Sequence, residues 1–133
     1  MEYIEHCMTN QERDPTFVDF LVEDDEMKVY EEVTDFKKLR EFLNGKLDAF
    51  NSQKKVQPMD IVLFTDAIIH ISRIYRVLNL KRGHALLVGV GGSGRHSLTK
   101  LSAYISTMSF DQLEMRKGFG LKDFRAKLMD LYE

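Results

Sequence analysis

From residue 35 onward, apolar side chains return at steps of three and four: Phe36, Leu39, Phe42, Leu43, Leu47 and Phe50. That spacing puts them on one face and predicts a helix. Thr34 or Asp35 can open it by accepting from the unpaired amides of the first turn. Gly45 weakens its middle by roughly 1 kcal/mol relative to alanine, which allows a kink or an early end. The stretch NSQKKVQP at 51–58 is a polar connector, and Pro58 holds Gln57 extended. A second helix is predicted over 59–78. Its apolar positions, Ile61, Val62, Phe64, Ala67, Ile68, Ile71, Ile74, Tyr75 and Leu78, cover more than half of its circumference. Such a helix is expected between layers, with His70 as a polar-edge or hydrogen-bonded residue. NLKRG then supplies cations at the carbonyl end and a glycine beyond it.

The period changes at HALLVGV, residues 84–90, a continuous apolar run of the kind found in buried parallel strands. A helix is predicted over 94–106, packing through Leu98, Leu101, Tyr104 and Ile105. MSFDQLEM at 108–115 reads as a second strand and RKGFGL as a turn. KDFRAKLMDLYE opens a last helix with Phe124, Leu128 and Leu131 at helical spacing. Strand, helix, strand, helix begins an α/β layer fold. Two parallel strands leave such a sheet unfinished, so the expectation is a piece of something larger, broken off at Glu133. Before residue 35 there is no sustained period. TFVDFLV at 16–22 is a short strand or buried extended segment, and the acidic run Glu23, Asp24, Asp25, Glu26 is a solvated turn. The chain therefore divides into an irregular segment (1–34), a helical lead-in (35–80) and the start of an αβα core (81–133).

Composition narrows the function classes. The 133 residues are 44% hydrophobic and 30% charged, enough for a packed core. A net charge of −2 with mixed signs gives no nucleic-acid surface and no patch for an anionic membrane. No apolar run approaches the roughly 20 residues that span a bilayer. One cysteine, Cys7, excludes an internal disulfide and fits a reducing compartment as an ordinary free thiol.

The chemistry sits in LLVGVGGSGRHSL, residues 86–98, where a strand runs through glycines into a helix. Gly89 and Gly94 fit the two glycines of the phosphate loop G-x-x-x-x-G-K-[ST]. Gly91 and Gly92 leave the intervening backbone free to wrap a phosphate, and the following helix adds its positive dipole end. The departures are Arg95 for lysine and His96 for the magnesium-binding hydroxyl. Arginine keeps the charge on a longer, planar group. Imidazole is a poor substitute for a hard oxygen ligand of magnesium. Ser97 offers a hydroxyl one residue late, rotated by about 100° on the helix. A second reading is the dinucleotide fingerprint G-x-G-x-x-G, met by Gly89, Gly91 and Gly94 with Glu114 as ribose acid. It would make the chain a Rossmann-like oxidoreductase fragment. A third is a structural glycine turn that binds nothing, although four glycines within 89–94 are costly in unfolded-chain entropy.

One longer stretch, DIVLFTDAIIHISRIYRVLNLKRGHALLVGVGGSGRHSLTKLSAYIS, closely resembles the fourth AAA+ module of axonemal dynein heavy chains. The matching pieces lie at 61–64, 70–78, 85–90 and 91–101. Upstream VYEEVTDFKKLREFLNGKLDAFN and downstream KGFGLKDFRAKLMDLY resemble the same module, so the likeness runs from about Tyr30 to Tyr132. It implies a partial AAA+ P-loop NTPase module, α/β, with a helical lead-in and an incomplete parallel sheet. It also implies an ATP or ADP site with doubtful Mg2+ coordination at Gly89, Val90, Gly91, Gly92, Ser93, Gly94, Arg95, His96 and Ser97. Val62, Leu63 and Phe64 are implied for the base, or else are plain core. The resembled modules tend to carry arginine at the position of Arg95. In the family this module is a binding or regulatory unit of a six-unit ring that drives ciliary beating, while the first unit carries the main hydrolysis. The acidic strand, sensors and arginine finger would lie outside this chain, so hydrolysis by it alone is expected to be negligible. No catalytic residue and no metal ligand is assigned. The implied partners are the remaining heavy-chain modules and, through the full-length motor, dynein intermediate and light chains and microtubules. The implied location is the cytoplasm and cytoskeleton, in the axoneme of the cilium.

Overall fold

The computed structural model describes residues 15–21, 29–54, 57–92 and 94–132. Cys7, the acidic residues Glu23 to Glu26 and Ser93, all discussed above, lie outside the described residues. The elements run β1 (Phe17–Val18), β2 (Glu31–Glu32), α1 (Phe36–Asn51), α2 (Thr65–Asn79), α3 (Arg95–Ile105) and α4 (Leu121–Tyr132). The two strands form one antiparallel pair, Phe17 opposite Glu32 and Val18 opposite Glu31.

α1 follows its pattern closely. Asp35 caps it, its carboxylate accepting from the amides of Lys37 (2.9 Å) and Lys38 (3.3 Å). Leu39, Leu43, Leu47 and Phe50 are buried in a row. The helix passes through Gly45 unbroken, with open space where a Cβ would stand. α2 is the central element, packing chiefly on α3 and also on α1 and β1. It buries Ala67, Ile68, Ile71, Ser72, Ile74 and Tyr75. His70, Arg73 and Arg76 are exposed, so α2 carries a one-sided apolar face and is not sandwiched between layers as its composition predicts. Ser102 of α3, fully buried, donates to the carbonyls of Leu98 (2.8 Å) and Ile71 (3.4 Å), satisfying its hydroxyl at the α2–α3 seam. At the far end, Asn79 donates to the Tyr75 carbonyl at 2.9 Å and to the Ser106 hydroxyl at 3.2 Å, joining the carbonyl ends of both helices. β1 packs on α2, and Asp19, just beyond the strand, lies against Tyr75. Burial, then the hydrogen bond and charge of Asp19, push the Tyr75 hydroxyl well above its ordinary value.

Three expectations need correction. The second helix begins at Thr65 and not at 59: residues 59–64 carry no regular secondary structure, and the Phe64 amide donates to the Val62 carbonyl at 3.1 Å. The predicted parallel sheet does not form among the described residues: 84–90 and 108–115 contain no strand. A strand exists only with a hydrogen-bonded neighbour, and neither run has one here. Leu86, Val88 and Val90 are 89%, 85% and 79% exposed, the reverse of the burial their composition predicts. Finally, α4 buries no residue and packs on no other described helix or strand.

Candidate functional site

The glycine loop and residues 60–64 face each other across an open cleft of ≈ 770 Å³, a size ordinary for a small-molecule site. One wall is Gly92, Gly94, Arg95, His96, Ser97 and Leu98; the other is Asp60, Ile61, Val62, Phe64 and Ala67.

The loop wall is shaped by backbone geometry. Gly92 and Gly94 sit at φ 78° and 73°, left-handed positions that disfavour any side chain. Gly94 turns the chain directly into α3, and no side chain caps the amides of that helix's first turn. α2 also starts without a side-chain cap, at Phe64. Two helix amino ends therefore border the cleft, and each carries partial positive charge.

Arg95 reaches back over the loop, its Nη2 donating to the Val90 carbonyl at 3.2 Å. Most of its fork remains for another acceptor. His96 is exposed on the cleft wall, and its ring meets Phe110 edge-on with centroids 5.2 Å apart. Ser97 lies on the same wall. Gly89, Val90 and Gly91 are exposed and stand outside the lining, although Val90 is held by Arg95.

The opposite wall alternates. Met59 and Leu63 are 9% and 5% exposed and point into the core, whereas Val62 and Phe64 are 77% and 58% exposed and line the cleft. So Leu63, grouped with the base contacts in the sequence, is a core residue. The alternation was hidden in the sequence because both faces are apolar. Asn51, which no motif marks, takes Met59 in a two-point grip. Its Oδ1 accepts from the Met59 amide at 2.8 Å and its Nδ2 donates to the Met59 carbonyl at 3.0 Å.

Glu114, the acid of the dinucleotide reading, is not at this cleft. It borders a separate depression, and its carboxylate pairs with Arg116 at 2.8 Å. Hydrogen bonding and charge from Arg116 hold it below the usual glutamate range. Among the described residues no group of three or more His, Cys, Asp or Glu converges to hold a metal ion. None of the described helices is long and apolar enough to cross a membrane.

Residues 59–133 match the family described as the P-loop containing dynein motor region D4. Among similar proteins, Dynein axonemal heavy chain 3 of Mus musculus is 46% identical over 112 residues, covering 84% of this chain and 3% of that protein. Dynein axonemal heavy chain 2 of Homo sapiens is 42% identical over 127 residues, covering 96% and 3%. The Dynein-1-beta heavy chain of the flagellar inner arm I1 complex of Chlamydomonas reinhardtii is 41% identical over 118 residues, covering 89% and 3%. The chain thus spans a few per cent of the length of these relatives.

Proposed function

The chain belongs to the family of the P-loop containing dynein motor region D4, and from that premise we propose that the cleft binds ATP or ADP. The observation that carries this reading is the pairing of two unlike walls: a glycine turn with uncapped helix amides faces exposed Val62 and Phe64. Phosphates suit the first wall, through backbone amides, the helix dipole and the free donors of Arg95. A flat heteroaromatic base suits the second, where two apolar side chains otherwise stand in water.

The donor set does not fit magnesium well. His96 stands where a hydroxyl ligand is usual, and its ring is engaged by Phe110. The phosphates are therefore held chiefly by the chain's own amides and Arg95. Negligible hydrolysis is the expected outcome, because the magnesium that would neutralise the transferring phosphoryl is poorly held. The site acts as a binding and regulatory unit.

We further propose that this chain works as a portion of an axonemal dynein heavy chain, an ATP-driven microtubule motor of the ciliary axoneme. Its partners there are the other heavy-chain modules and, through the whole motor, intermediate and light chains and microtubules. The exposed side chains of Leu86, Val88 and Val90 offer a surface for those neighbouring modules.

Calorimetric titration with ADP tests the site. Arg95→Ala should weaken binding roughly tenfold, the usual scale for one charge-assisted contact. Unchanged affinity would remove Arg95 from the site.

A further inference from the structure

Resting on the nucleotide reading of the cleft, we propose that Asn51 is a positioning residue for the base: it fixes the wall formed by residues 59–64 without touching the ligand. Asn51 is the last residue of α1, so its own backbone is held by a helix whose buried row ends one residue earlier at Phe50. From that rigid base its carboxamide satisfies both polar groups of the Met59 backbone, at 2.8 and 3.0 Å. Asparagine is suited to this, having an acceptor and a donor in one plane.

The grip has a directional consequence. Met59 is held at the start of an irregular run that turns tightly at its end, where the Phe64 amide donates to the Val62 carbonyl at 3.1 Å. With Met59 and Leu63 anchored in the core, Val62 and Phe64 are delivered to the cleft. A slip of one residue would bury Val62 and expose Leu63, changing which side chains line the cleft. Pro58, just before Met59, has no amide proton and keeps the entry extended. Asn51 also disfavours a helix reaching back to 59, which would take the Met59 carbonyl for its own ladder and break its bond with the Asn51 Nδ2.

The glycine loop is built independently, by Gly92 and Gly94 on the other wall. Base-side and phosphate-side contributions are therefore separable. Titration of the chain with ADP and with pyrophosphate reads each. Asn51→Ala should weaken ADP roughly fivefold to tenfold, the scale of one to two hydrogen bonds, and leave pyrophosphate unchanged. Asn51→Asp keeps an acceptor for the Met59 amide but sets a second carboxylate oxygen against the Met59 carbonyl with no hydrogen between them, so its ADP affinity should fall at least as far as that of Asn51→Ala.

Normal ADP affinity in both variants would overturn the assignment and leave the nucleotide reading intact. Equal loss of ADP and pyrophosphate in both would make Asn51 a general structural residue and overturn it as well. If the unaltered chain binds neither ligand, the nucleotide reading falls and the assignment falls with it.

Discussion

Thr107 stands where the turn that ends α3 asks for glycine. Its φ is 55°, left-handed, and a β-branched side chain is strained there. The surrounding bonds show why the chain accepts the strain. The Thr107 amide donates to the Tyr104 carbonyl at 3.1 Å and the Met108 amide to the Ala103 carbonyl at 2.9 Å, closing a Schellman turn. Thr107→Gly should therefore stabilise the fold by about 0.5–1 kcal/mol, the relief of left-handed strain less the entropy of glycine. Urea unfolding checks this, and a loss of stability would contradict it. At the same level, the sequence marked some residues that line the cleft and concealed others that stand behind its walls. Gly92, Gly94, Arg95, His96 and Ser97 could be picked out because motifs record backbone needs. Asn51 could not, since its partner is a backbone pair eight residues away and leaves no pattern of side chains. Phe110 was hidden for a similar reason: its contact with His96 is a ring meeting across the fold.

Helices were legible where their pattern was local. α1 and α3 formed as their spacing predicts, and Asp35 capped α1 as read. α4 formed too, yet its apolar spacing led to no burial, so periodicity predicted the element and not its packing. One tie between α4 and 108–116 is an ion pair: the Lys127 ammonium lies 3.1 Å from the Asp111 carboxylate. Hydrogen bonding from Lys127, then from the Gln112 amide, lowers the Asp111 pKa below its ordinary value. A carboxyl depressed on folding contributes stability above its unfolded pKa, and that contribution is lost as pH falls through the folded value. Acidification from neutrality to below the usual aspartate range, about 3.9, should release α4 from 108–116. Amide exchange in 121–132 should rise over that window in the parent. In Asp111→Asn it should already be raised at neutral pH, with the step removed. An unchanged acid step in the variant would contradict this.

At the scale of the whole molecule, the helical part was readable and the sheet was not. Three helices pack from local patterns, with Leu39, Leu43, Ile68, Ile71 and Leu101 fully buried at their centre. The runs 84–90 and 108–115 have strand composition, but composition cannot supply a neighbour, and pairing is a property of two segments. The same packing explains why the cleft exists. α2 and α3 lie together with their uncapped amino ends on it, and the two connections entering those ends form its walls. On the proposed reading this cleft holds nucleotide phosphates by amides and Arg95, with His96 leaving magnesium little part. Calorimetric titration of the chain with ADP, once with magnesium and once with a chelator, measures this directly. The prediction is saturable binding with closely similar affinity in both; no binding, or tight binding only with magnesium, would contradict it.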